Sequence, residues 1–337
     1  MVVTMNVQLQ LGLGMASDAN AAGTAAPQFN LSMLNLAREA KGFTQKNLAR
    51  FMGCKQSRIS KIGSGELVPQ ESDVQKFVKI LEQEKEFFFQ QATAMPASVS
   101  FYRKTQTFPL KLLRQCNAQM NIRRLQIEKR VGETRLGARS LPQMPPDGKD
   151  GARVVARELR KKWGLRSGPI LCLTALVEDV GCIIVDYTFP SLKLDGLCLR
   201  APGKPPIIFL NNGLPKSRRR LSLAHELGHL IMHVNPHENV EDEAWDFASE
   251  FMMPSDEIEK DINDLNLDRL GELKKKWGLS MQAILYRARK LDIISESQSR
   301  FLWMQIGKCG YRLDEPFEDA IPEERPSELE NRLKTFT

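Results

Sequence analysis

The histidines constrain this chain most: all four fall between His225 and His237, and the first two stand in the run Ala-His-Glu-Leu-Gly-His. That run reads H-E-x-x-H. A four-residue spacing stacks His225 and His229 on one face of a helix, and two imidazoles so placed suit Zn2+. Glu226, beside the first histidine, is placed to take a proton from a water at such a metal. The plain alternative is a solvated helix with incidental histidines. The flanking Leu221, Leu223, Ala224, Leu227, Leu230 and Ile231 argue against it, because they are dense enough to bury the helix. Arg218, Arg219 and Arg220 read as the exposed start of this helix, and Gly228, a poor helix former, implies a close neighbour such as a strand or a substrate.

Two histidines leave a catalytic zinc site short of a third protein ligand. The candidates are His233, His237, Glu238, Glu241, Glu243 and Glu250. His233 and His237 continue the same helical face and so climb away from the first pair, and their spacing misses the extended pattern with a histidine six residues beyond the second. Asn235 and Pro236 end the helix, and a new helical pattern runs from about residue 239 to 253. On it Glu241, Ala244, Ala248 and Phe251 share a face, the two alanines allowing close approach to the histidine helix. Glu241 is therefore the favoured third ligand and Glu243 its competitor. Upstream, the apolar runs 182–187, 196–200 and 206–211 read as three strands of a small sheet packed on that helix.

The stretch Arg219 to Pro254 closely resembles the ImmA/IrrE family of bacterial metallopeptidases, and the likeness runs from about residue 152 to 316. The resemblance implies a zincin-like zinc endopeptidase fold with His225, His229 and Glu241 as ligands and Glu226 as catalytic acid/base. The substrate it implies is a bacterial repressor cut in response to stress. Trp245 departs from the pattern, which has a smaller polar residue there.

A second module lies between Leu31 and Leu81. Leu34, Ala37 and Ala40 give one helix an apolar face that Gly42 ends; Thr44 caps a second helix, stopped by Gly53. A third runs from Gln56 to Ile62 with Ile59 and Ile62 inward and Gln56, Ser57, Arg58 and Lys61 outward. Two short helices about a glycine-containing turn form a helix-turn-helix, whose second helix enters the DNA major groove. The segment resembles the XRE (Cro/C1-type) helix-turn-helix. By that resemblance Gln45 and Ser57 touch phosphate, while Gln56, Arg58 and Lys61 face base edges. The Gly63-Ser64-Gly65 turn lacks the glutamate usual in that family. A helical bundle without DNA contact is the plain alternative.

With 48 Lys and Arg against 41 Asp and Glu, the formal charge is +7, which favours a polyanionic partner only weakly. Residues 103–139 carry ten basic residues, among them Lys111, Arg114, Arg123, Arg124, Lys129 and Arg130, and only Glu128 and Glu133 in opposition. This stretch reads equally as a phosphate-binding segment or as a solvated connector with one apolar side. No apolar run approaches the roughly 20 residues that span a membrane. The six cysteines show no C-x-x-C pairing and read as reduced cytoplasmic thiols.

The expected architecture is α+β: an all-α helix-turn-helix bundle, a helical connector, then a mainly helical zincin-like peptidase domain with a small sheet. The expected divisions are a disordered 1–28, the helix-turn-helix domain at 29–90, a basic connector and linker at 91–150, the peptidase domain at 151–313, and an acidic tail at 314–337 that is either an extended cover or loose. Residues 270–291 read as a helix, turn and helix completing the peptidase core rather than a second DNA-binding unit. The expected function is a cytoplasmic transcription regulator of a bacterial stress response. It binds double-stranded DNA, carries a zinc endopeptidase with a repressor as protein substrate, and could be a homodimer. The alternative is a DNA-binding or antitoxin-like regulator whose zinc domain senses or docks without turnover.

Overall fold

The computed structural model describes residues 28–95, 109–131, 141–189, 194–233 and 237–327. The segment expected to be disordered lies, but for Gln28, outside them, as do Arg103, Lys104, Arg135 and Arg139 of the basic stretch. Among the described residues are thirteen α-helices and one three-stranded sheet. The architecture is α+β, a helical N-terminal bundle followed by a mainly helical domain, as the sequence predicts.

The bundle is α1 (Leu31–Ala40), α2 (Gln45–Met52), α3 (Gln56–Ser64), α4 (Glu71–Leu81) and a 3₁₀ turn, Lys85–Phe89. Thr44 caps α2 as predicted: its hydroxyl accepts from the Asn47 N–H and the Asn47 side chain returns the bond, satisfying two otherwise orphaned donors. Gly53 ends α2 in the left-handed region, which glycine enters without steric cost. The third helix runs two residues further than expected, through Gly63 and Ser64, to a left-handed Gly65. Met33, Leu34, Leu48, Ile59, Ile62, Phe77 and Phe88 form the core.

Helix α5 (Leu110–Val131) joins the two halves. Its Ala118 and Ile122 enter the bundle core, while Leu113, Cys116, Met120 and Ile127 cover one face of the sheet. The Gln119 amide spans the junction, donating to the Ala40 carbonyl at the end of α1 (3.0 Å) and accepting from the Tyr187 hydroxyl (2.7 Å). Two apolar sides, not one, are therefore buried. Arg124 is buried as well, paired with Glu128 and donating to the Thr93 carbonyl. Lys111, Arg114, Arg123, Lys129 and Arg130 remain on the solvent side.

The second half begins with α6 (Gly151–Lys162) and α7 (Leu173–Asp179), followed by β1 (Ile183–Tyr187), β2 (Gly196–Leu199) and β3 (Ile207–Asn211). The strand order is β1-β3-β2, with β1 parallel and β2 antiparallel to β3. Alternate residues divide between two cores: Ile207 and Phe209 face α5, Ile208 and Leu210 face the histidine helix. Burial on both faces explains why β3 reads as one continuous apolar run.

Then come α8 (Lys216–Met232), which carries H-E-x-x-H, and α9 (Val240–Met252), then α10 (Ser255–Asp261), α11 (Leu267–Trp277), α12 (Met281–Lys290) and α13 (Glu296–Lys308). The close neighbour that Gly228 implies is α9: a Cβ there would lie 2.8 Å from the Phe247 ring and 3.5 Å from the Ala244 carbonyl oxygen. Leu270, Leu273, Trp277 and Ile284 complete this core, and the buried Arg287 pairs with the buried Glu250. Glu250 thereby falls out as a metal ligand.

Helix α8 does not begin with three exposed arginines. Arg219 pairs with Asp186 (2.6 Å), Arg218 with Asp195 (2.7 Å), and Arg220 is buried against Glu324. Glu324 belongs to the acidic tail, which through residue 327 is docked, not loose. Three of its glutamates each accept backbone N–H bonds at a helix start: Glu315 from Met281 and Gln282 of α12, Glu318 from Ser217 of α8, Glu324 from Thr174 of α7. Those N–H groups have no partner within their own helices, and carboxylates also complement the positive helix end. The fully buried Lys274 neutralises Glu315 and Glu318 at 3.0 and 2.7 Å.

Burial alone would raise the Glu318 carboxyl, but the bonds from Lys274 and Ser217 hold it below its ordinary 4.5. A carboxylate lowered in the fold stabilises fully above its unfolded value, and that share is lost as pH falls through the folded one. Glu318→Ala should therefore lower the Tm at pH 7, and the difference from wild type should shrink below about pH 4.5 in thermal melts. Gly228→Ala should destabilise, because overpacking costs about 1–3 kcal/mol and outweighs the roughly 1 kcal/mol of helix propensity gained. Pairing it with Phe247→Leu should recover part of the loss in a double-mutant cycle.

Candidate metal centre and nucleic-acid interface

Helix α8 holds His225 and His229 one turn apart and buried, with the Nε2 atoms 3.1 Å apart. Glu241 enters from the first turn of α9, its carboxylate oxygens 3.6 Å from His225 Nε2 and 3.2 Å from His229 Nε2. Four-coordinate zinc with bonds near 2.0–2.1 Å places its ligand atoms about 3.3 Å apart. The three separations bracket that value. Oε1 of Glu241 is also buried with no hydrogen-bond donor. Three buried ligand atoms stand at the spacing a tetrahedral ion requires, so the residues fit a divalent metal.

Glu226 is buried on the same helix, facing β2. A Cβ on Gly196 would come within 3.1 Å of Glu226 Cγ, Leu210 Cδ2 and the Phe209 carbonyl oxygen, so a side chain there would crowd Glu226. Cys198, two residues along, hydrogen-bonds to Glu226; burial first, and then the Glu226 carboxylate, push its thiol well above the ordinary range. Neither Gly196 nor Cys198 stands out in the sequence, because their role exists only once β2 crosses α8. Trp245, the departure from the family pattern, lays its ring on His225 with centroids 4.1 Å apart and planes tilted by 35°.

Glu243 does not approach the first two histidines. It lies 3.0 Å from His233 Nε2 and 3.4 Å from His237 Nε2. Helix α8 stops at Met232, earlier than Asn235 and Pro236, which lie outside the described residues. His233 therefore does not climb away along the helix: its Nδ1 sits 2.8 Å from Nδ1 of His229. Burial, and then His229 and His237, push His233 down to about 3. The edge open to an extended peptide is not the third strand. Ile207–Asn211 lies in the middle of the sheet with both edges paired, and β2 is the edge strand beside Glu226.

In the bundle, Gln56, Ser57 and Lys61 are exposed along α3, and Gln45 is half-buried at the start of α2, near Gly63. Arg58, its side chain 36% exposed, is also engaged within the bundle. Its guanidinium bonds to Asp73 at 2.7 Å, and Asp73 is the buried residue whose side chain also accepts from the Gln70 N–H at the start of α4.

The comparisons agree with this division. Residues 33–86 match the model of a helix-turn-helix domain, and residues 178–289 match that of the IrrE N-terminal-like domain, a peptidase family. The second match is narrower than the stretch 152–316, and no curated protein matches the chain. No described helix is long and apolar enough to cross a membrane. The chain thus joins a helix-turn-helix DNA-binding domain to an IrrE-like domain of metallopeptidase type.

Proposed function

We propose that this protein is a cytoplasmic DNA-binding regulator whose IrrE-like domain is a zinc endopeptidase acting on a repressor-type protein. The observation that carries this reading is the meeting of His225, His229 and Glu241 beside Glu226 and an edge strand. His225, His229 and Glu241 would hold the metal. When bound, zinc supplies Lewis-acid activation of a water and of the scissile carbonyl. Glu226 accepts the proton of the attacking water on its carboxylate and delivers it to the leaving amine nitrogen. The outer edge of β2, unpaired among the described residues, offers backbone N–H and C=O groups to an extended peptide. The Cys198 thiol and the close passage of Gly196 keep the Glu226 carboxylate in place from that side.

On the DNA side, Gln56 and Lys61 would read base edges, with Gln45 and Ser57 on phosphate. Arg58 acts first on the bundle, since it ties α3 to the start of α4 through Asp73. The exposed basic residues of α5 add attraction to the phosphate backbone.

Glu241→Ala should lose zinc by elemental analysis, whereas Glu226→Gln should retain it and lose cleavage. New protein N-termini in cells under DNA-damaging stress should appear with wild type and not with Glu226→Gln. Their absence in every condition would leave a regulator whose zinc domain senses or docks without turnover. Gln56→Ala should relax sequence preference with the melting temperature unchanged, while Arg58→Ala should lower both binding and Tm. Equal Tm for Arg58→Ala and wild type would show that the Asp73 contact contributes little.

A further inference from the structure

The proposed centre accounts for two of the four histidines. The other two lie in a second cluster, His233, His237 and Glu243, which touches the first through His229. We infer that His233 is a positioning residue for the metal, coupling His229 to the Glu243 carboxylate through a directed chain of hydrogen bonds. The inference rests on the zinc reading above.

The direction follows from counting hydrogens on the rings. A neutral imidazole that gives Nε2 to a metal carries its hydrogen on Nδ1. His229 Nε2 faces the Glu241 carboxylate, so His229 Nδ1 is the donor, and His233 Nδ1, 2.8 Å away, must accept. The hydrogen of His233 is then on Nε2 and donates to Glu243 Oε2 at 3.0 Å. His237 Nε2 lies 3.4 Å from the same oxygen, and its Nδ1 accepts from the Asn239 N–H. Every nitrogen in this chain has one role, and no two hydrogens meet. Such outer partners fix the ring and raise the basicity of a metal-bound histidine. Here a second histidine is interposed between ligand and carboxylate.

The same three residues also satisfy the spacing of a second metal site. The tautomers oppose that use. A metal on His233 Nε2 would move its hydrogen to Nδ1, where it would face the Nδ1 hydrogen of His229 across 2.8 Å. The first centre, once loaded, therefore disfavours the second.

Zinc affinity of the full-length protein is measured by chelator competition, and cobalt-loaded protein by its visible d–d spectrum. His233→Phe keeps the ring and removes both nitrogens. It should weaken zinc binding by about 10- to 100-fold and shift the cobalt bands. His233→Gln, whose carbonyl accepts and whose amide donates, should stay within a few-fold of wild type. Glu243→Gln, on a partly exposed residue, should lose affinity without loss of folding. His237, with its side chain 44% exposed, is at the end of the chain, and His237→Ala should change little. Wild-type affinity and an unchanged cobalt spectrum in both His233→Phe and Glu243→Gln would overturn the inference. So would a second bound equivalent of zinc that His237→Ala abolishes. His229→Ala and Glu241→Ala separate the two readings: if they keep zinc, the primary centre is wrong, and if they lose it while His233→Phe does not, only the coupling fails.

Discussion

The close approach of α8 and α9 is the contact on which the rest of this domain depends. Gly228 lets the Phe247 ring and the Ala244 carbonyl come to van der Waals distance, and a side chain there would push the two helices apart. At that separation Glu241 lies within 3.2–3.6 Å of the histidine Nε2 atoms one helix away. Carboxylate ligands are short, so a displacement of one methyl group would remove Glu241 from reach. The small residues Ala244 and Ala248, fully buried, hold the rest of the interface to the same spacing.

The histidine helix is held at both ends by segments remote in the chain. At its start, Glu318 accepts the Ser217 N–H and hydroxyl, and Arg220 is buried against Glu324. At its end, Met144 N–H bonds to the Ile231 carbonyl and the Gln143 amide and Arg200 guanidinium both donate to the Leu230 carbonyl. A helix whose terminal groups are satisfied by other segments cannot fray without releasing them. The acidic tail thus works as structure, with one glutamate at each of three helix starts and the buried Lys274 between two of them.

The two modules meet across α5. Its apolar residues enter both the bundle core and the outer face of the sheet, whose inner face packs on the histidine helix. The path from α1 to the histidine helix therefore runs, among the described residues, through packed side chains and the Gln119 amide. The helix turns Lys111, Arg114, Arg123, Lys129 and Arg130 outward, while most of its apolar positions and Arg124 are buried.

Much of the local structure was legible from residue types. The i, i+4 spacing of His225 and His229 specifies a shared helix face, Glu226 stands next to it, and Thr44 with Gly53 bounds the second bundle helix because caps and left-handed turns are local chemistry. Other features needed the tertiary structure. Glu241 and Glu243, two residues apart on one helix, point to different histidine pairs, and only the rotation of α9 against α8 assigns them. Which strand is the edge, why Arg220 is buried, and why Arg58 turns to Asp73 depend on partners 15 to 104 residues away, in elements that periodicity treats as independent. The sequence determined which side chains could bind a metal or face DNA, because that is set by residue type and near-neighbour spacing. The tertiary structure decided which of them converge, because convergence is a property of helix crossing and sheet order.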